Sequence, residues 1–314
     1  MNNFVKDLSP TVDLNAETPK PNQPSPVRTF WGVLLLLMVT FFWGITFTIV
    51  KEAIAKVDVF VFLAQRFLLS FAILLPGCLI RRKHFSLPLL KRASILGFFA
   101  FAAYAFQTVG LRYTSASNAG FLTGLNVVFV PVISACLFRQ SIPNNVKLGV
   151  VLATLGLFLL CTNGTWAING GDLLVILCAI CVAWHLIYTG EYARSNDVYW
   201  LTTLQLGWVA LLSTLMARVN GHAIFVWYPE ILPALVICVL FATIFASLVQ
   251  TSMQRFISPS RTALIFCMEP VFAALYAYWA AHERLGVFGL IGSILILVGM
   301  ICSEVISSSK EPRP

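Results

Sequence analysis

From Phe30 onward the chain is a succession of apolar segments about 20 residues long, separated by short polar stretches. Ten are drawn, at residues 30–50, 59–80, 93–111, 118–138, 146–163, 171–190, 199–219, 231–251, 262–281 and 286–306. A helix of that length crosses the roughly 30 Å of hydrocarbon in a bilayer, and in lipid a helix satisfies its own backbone. Such a series specifies an all-α integral membrane protein with ten transmembrane helices. The composition agrees, since only 11% of the 314 residues are charged and 59% are hydrophobic. An ordinary soluble domain is about 25% charged, so this chain lacks the polar residues to cover a water-facing surface. That balance excludes a soluble enzyme, a nucleic-acid-binding domain and a disordered protein.

The net charge of +8 is placed as in a membrane protein. Ten spans put both termini on one side. With the amino terminus inside, fifteen Lys and Arg residues fall in cytoplasmic tails and loops, five of them (Arg81, Arg82, Lys83, Lys91, Arg92) around a single loop. Five fall on the other side (Lys51, Lys56, Arg112, Arg218, Arg284), and Arg66 lies within a span. Because basic loops stay on the cytoplasmic side, both termini are expected in the cytoplasm. Residues 1–29 hold five prolines between Pro10 and Pro26 and no hydrophobic stretch, so they are expected to be a disordered cytoplasmic tail rather than a signal peptide. Residues 307–314 form a second short tail.

An internal repeat adds more than any single motif. A shift of 143 positions lays Gln107-Thr108 on Gln250-Thr251, Arg112 on Arg255, and Ser115 and Ser117 on Ser258 and Ser260. The same shift lays Val128-Phe129 on Val271-Phe272, and Gly149 and Gly156 on Gly292 and Gly299. Slightly smaller shifts bring Asp58 and Arg66 onto Asp197 and Gln205, and Trp43 onto Trp184. The expected units are therefore five-helix repeats at 30–163 and 171–306. Five is odd, so the halves insert with opposite orientation. Inverted repeats of this kind mark transporters, with the substrate site near the midplane between the halves.

Trp43-Gly44 in the first span, Arg66-Phe67 in the second, and Glu269-Pro270-Val271-Phe272 followed by Glu283-Arg284-Leu285, Gly292 and Gly299 resemble the motifs of one family. It is the drug/metabolite transporter superfamily, EamA type, and the resemblance covers residues 30–306. The second copy matches better, since Gln140 stands where the second half has Glu283, and Pro131 stands four positions late relative to Pro270. The resemblance implies ten helices in two inverted repeats, a bacterial inner membrane, and export of small metabolites or drugs.

Polar groups inside lipid are costly and ask for a reason. Arg66 is deep in the second span, where it either faces the cavity as a partner for a carboxylate, or makes a structural ion pair or caps broken backbone carbonyls. Glu269 is deep in the ninth span before Pro270, which removes a helical hydrogen bond and favours a kink. A carboxyl there can take up and release a proton, making Glu269 the candidate for proton coupling, with a structural pairing as the alternative. His185 suits a proton relay, substrate binding or a bond to a neighbouring helix. Asn126 holds the place of Glu269 in the first half, while Gln107 and Gln250 repeat each other. These, with Gln205, Trp43, Trp184, Tyr188 and Tyr276, are the cavity candidates, and Trp43 and Trp184 are expected on opposite sides of one shared cavity.

Other patterns carry less. Cys178-x-x-Cys181 sits among apolar residues without a second pair, so no metal is expected. Glycine patterns such as Gly120-x-x-x-Gly124 fit close helix contact. The sequon at Asn163 falls in an external loop. No phosphate-binding loop is present, so no nucleotide drives transport directly and no cofactor is expected. An intramembrane enzyme needs clustered catalytic groups, and of four histidines His84, His222 and His282 fall near or in loops. The expected partners are a small-molecule substrate and the lipid bilayer, without nucleic acid, and a monomer or a homodimer fits equally well.

Overall fold

A computed structural model describes residues 26–81, 85–114, 116–138, 141–162, 169–224, 229–280 and 286–308. The sequon at Asn163, His84, His282, Gln140, Glu283-Arg284-Leu285 and most of both tails lie outside the described residues. The described elements are helical throughout: α1 (Pro26–Ile54), α2 (Val59–Ile80), α3 (Leu87–Gly110), α4 (Ala116–Gly124), α5 (Asn126–Phe138), α6 (Asn144–Thr162), α7 (Gly170–Ser195), α8 (Val198–Val219), α9 (Leu232–Val239), α10 (Ala246–Met253), α11 (Pro259–Phe266), α12 (Met268–Ala280) and α13 (Val287–Ser308). Among the described residues, seven helical segments are long and apolar enough to cross a membrane, and two shorter apolar ones lie in α6 and α13. Helix α11 with α12 makes a further segment, broken at Cys267. The fold is an all-helical membrane bundle.

Local chemistry fixes the helix starts. The Asp58 carboxylate accepts from Phe60 N (2.9 Å) and Val61 N, capping α2. Asp197, its match in the repeat, caps α8 through Trp200 N (2.9 Å). Each cap satisfies amides that the first turn leaves without helical partners. The same carboxylates join separate elements at opposite ends of the bundle. Asp58 lies 3.9 Å from Arg112 and 3.7 Å from His222, and Asp197 lies 4.0 Å from Arg81.

Three expected spans are not continuous α-helix. The 118–138 span breaks at Leu125 between α4 and α5, and the 262–281 span breaks at Cys267 just before Glu269-Pro270. The 231–251 span carries a π-helical turn, Leu240–Phe245, between α9 and α10. Such a turn shifts the hydrogen-bond register and frees backbone carbonyls for other donors.

The helices pair across the two halves: α2 packs on α8, α6 on α13, α3 on α7 and α8, α1 on α12, and α5 on α7. Two close approaches depend on glycine. A Cβ on Gly156 would sit 2.6 Å from the Gly292 carbonyl oxygen, so α6 and α13 touch backbone to backbone. A Cβ on Gly44 would sit 2.6 Å from the Glu269 carbonyl oxygen, so α1 lies directly against the broken segment. Leu69, Ile73, Leu211, Leu215, Leu290 and Ile294 are exposed, the inside-out pattern of a bundle whose outer solvent is lipid.

Candidate functional site

The two breaks flank a cavity of about 110 Å³ between the halves, and the π-turn is tied to it through Arg66 and Trp43. That volume leaves room for several water-sized groups. Eight expected residues line it: Trp43, Arg66, Gln107, Asn126, His185, Gln205, Gln250 and Glu269. They come from both halves and in register. Gln107 faces the same cavity as Gln250, Asn126 as Glu269, Arg66 as Gln205, and Tyr104 as Ser247.

Arg66, only 4% exposed, points its guanidinium at the π-turn. Its Nε donates to Thr243 Oγ1 (2.7 Å) and a terminal nitrogen donates to the Ala242 carbonyl (3.1 Å). The cation also lies over the rings of Tyr104 (5.0 Å) and Phe67 (5.3 Å). Trp43 Nε1 donates to the same Ala242 carbonyl (2.9 Å), and its ring meets Phe266 edge-on. Arg66 thus both faces the cavity and caps freed backbone. No ion pair among the described residues joins it to a carboxylate.

Glu269 opens α12 just after the break and lines the cavity. Its carboxyl stands about ten residues in from the capped start of α11 at Ser258, at mid-bundle depth. Opposite in the repeat, Asn126 donates from Nδ2 to Thr123 O (2.9 Å) at the first break, leaving its buried Oδ1 without a partner. Gln107 donates to Thr123 Oγ1 (3.2 Å).

His185 holds the third polar group together. Its Nε2 meets Gln205 Oε1 at 2.9 Å and its Nδ1 meets Gln250 Nε2 at 3.5 Å. An amide oxygen only accepts and an amide nitrogen only donates, so this arrangement suits a ring that carries its hydrogen on Nε2 and accepts at Nδ1. Gln250 Nε2 also donates to Gln254 Oε1 (3.2 Å), and Gln254 Nε2 donates to Leu186 O (2.9 Å).

Trp184, Tyr188 and Tyr276 are not among the lining residues. Trp184 stacks on Phe99 and Tyr188, and Tyr188 stacks on Phe99 and Tyr192, forming an aromatic ladder along the face of α7 toward α3. The expected shared cavity of Trp43 and Trp184 fails because the match between them used a shift of 141. The 139 shift that relates Asp58 and Arg66 to Asp197 and Gln205 pairs Trp43 with Val182, Thr46 with His185 and Phe47 with Leu186, and all six line the cavity. Two residues turn a helix by roughly 200°, which puts Trp184 on the opposite face. Tyr276 lies about two turns beyond Glu269 on α12.

Tyr104, Thr123, Phe266 and the π-turn were not anticipated from the sequence. Tyr104 was findable, being one turn before Gln107 and matched to Ser247 by the 143 shift.

The EamA-like transporter family model matches residues 30–162 and again residues 169–304. An uncharacterized transporter of Archaeoglobus fulgidus is 32% identical over 280 residues, 88% of this chain and 86% of that protein. The uncharacterized transporter YyaM of Bacillus subtilis is 25% identical, over 86% of this chain and 92% of that one. A solved crystal structure 18% identical in sequence superposes with a TM-score of 0.72, covering 90% of this chain and 99% of the other, which shows a common fold.

Proposed function

Since this chain belongs to the EamA-like transporter family, we propose that it is a proton-coupled secondary transporter exporting small metabolites, such as amino acids or amines, or drugs across a bacterial inner membrane by alternating access. The observation that carries the proposal is the cavity at mid-bundle, lined in register by matched positions of both halves. Pairing of α2 with α8 and of α6 with α13 supports an inverted repeat of units at 30–163 and 171–306, because a two-fold axis maps each of these pairs onto itself. In that reading Arg66 meets an anionic group of the substrate, the amides and His185 orient its polar groups, and Trp43, Phe266 and Tyr104 contact its apolar part.

Glu269 is the coupling group in this scheme. A carboxyl in only one half breaks the chemical symmetry of a two-fold cavity, since Asn126 stands opposite. It loads a proton from one side and releases it to the other. The test is transport in proteoliposomes with and without an imposed pH gradient, using a compound selected by thermal-shift screening. Wild-type flux should follow the gradient, and Glu269→Gln should remove that response. A Glu269→Gln protein that still responds to the gradient rejects this role for Glu269, and a wild type indifferent to it leaves facilitated diffusion.

A further inference from the structure

We propose that the side-chain chain Gln205–His185–Gln250–Gln254, ending on the Leu186 carbonyl, is the gate at one end of the cavity, and that a proton on His185 opens it. The proposal rests on the alternating-access reading and adds the device that links the cavity to a gate.

The observations begin with an asymmetry. Toward the end that carries Asp58 and Arg112, the cavity is lined by Val50, Thr108 and Leu111. The 143-shift partners of Thr108 and Leu111 are Thr251 and Gln254, which are buried and do not line it. Gln254, 0% exposed, stands where the first half has an apolar leucine. It closes the C-terminus of α10 onto the middle of α7 through Leu186 O. The cavity therefore reaches further toward the Leu111 end, whereas at the other end Gln254 joins α10 to α7 by a side-chain bond that the matched Leu111 cannot make.

The hydrogen bonds of this chain run outward from one amide nitrogen, Gln250 Nε2, which serves both of its neighbours. His185 donates to Gln205, Gln250 donates to His185 and Gln254, and Gln254 donates to Leu186 O. A second proton on the ring turns Nδ1 into a donor aimed at the Gln250 amide nitrogen. Gln250 must then turn its oxygen to the ring, which aims that oxygen or an unpaired group at Gln254 Oε1. Gln254 can answer only by turning its own amide, which faces its oxygen to the Leu186 oxygen. The conflict cannot be resolved within the chain, so it is discharged at the α7–α10 contact, where buried polar groups without partners are costly. The titratable groups facing the same cavity are Arg66 from α2, Tyr104 from α3, Cys178 from α7 itself and Glu269 from α12; α1, α4, α5, α8, α10 and α11 present none among its lining residues. With basic loops inside, the Gln254 end is cytoplasmic and the Leu111 end external. A proton entering from outside then opens the inner gate, the sequence that an exporter driven by inward protons requires.

Hydrogen–deuterium exchange of the full chain in lipid nanodiscs, at pH 7.5 and 5.5 with labelling times scaled for intrinsic rates, reads gate opening without any substrate. In wild type, uptake across residues 250–257 should quicken at the lower pH by about tenfold, the effect of losing one or two net hydrogen bonds. His185→Gln, which keeps a donor and an acceptor but takes no proton, should abolish the change at 250–257 and so separates His185 from every other ionisable group. Gln254→Met, similar in size but without hydrogen bonds, should exchange fast at both pH values, and it decides the matter if His185→Gln proves unstable. A pH response that survives in either variant, or its absence in wild type, overturns the gate. Because exchange reports opening and not flux, a protein that transports but lacks this response rejects the gate alone, and one that shows the response but does not transport rejects the transporter reading alone.

Discussion

Arg66 spends a buried cation on a backbone carbonyl. A guanidinium in this position has five donors, and two of them meet Ala242 O and Thr243 Oγ1 while the flat face rests on Tyr104. The Ala242 oxygen is gripped twice, since Trp43 donates to it as well. Removing the arginine leaves the π-turn with one donor fewer and a buried hydroxyl unanswered. Hydrogen bonds to charged groups contribute roughly 1.5–3 kcal/mol, so Arg66→Ala should lower the melting temperature clearly in detergent, with Arg66→Lys between it and wild type. Equal stability of Arg66→Ala and wild type would contradict the capping role. The depth of Arg66 was legible in the sequence, because a charge eight residues into an apolar run has few places to go. Its partners were not. The turn that frees the Ala242 carbonyl is written Leu-Phe-Ala-Thr-Ile-Phe, with no proline or glycine to announce it.

At the scale of elements, the repeat-matched glycines state which helices touch. Gly156 and Gly292 face each other so closely that each would drive a Cβ into the other's backbone. Gly156→Leu should therefore separate α6 from α13; overpacking typically costs about 1–3 kcal/mol, and here backbone cannot yield as a side chain would. The expected result is a fall in monodisperse yield and melting temperature, whereas an exposed α13 change such as Ile294→Leu should have little effect. A wild-type melting temperature for Gly156→Leu would mean that the two helices do not pack through this site. The segments themselves were legible because hydropathy and length suffice to find them. The breaks were legible only in part: Pro270 stands three residues past the break at Cys267, but Pro131 stands six past the break at Leu125. The rotation of α7 follows the register set by Asp58 and Asp197 and not the identity of the two tryptophans, and two residues reverse a helical face.

The whole molecule has two testable asymmetries, one of charge and one of shape. From the distribution of fifteen basic residues against five, we propose that both termini are cytoplasmic. A fluorescent protein that matures only in the cytoplasm, fused after Pro314, should be bright in intact cells, and a well-expressed dark fusion would force a recount of the spans. The shape asymmetry is the cavity that reaches further toward the Leu111 end, a difference between the ends that the proposed alternating access would use. Transport by alternating access makes a demand that a pore does not: the site must return, and it returns faster when loaded. The most direct measurement is counterflow in proteoliposomes, with the compound found by thermal shift placed at high concentration inside and a labelled trace outside. Uptake of the trace should overshoot its equilibrium level transiently and accelerate with the internal load. Entry that rises to equilibrium without an overshoot, at a rate independent of what is inside, would contradict a carrier.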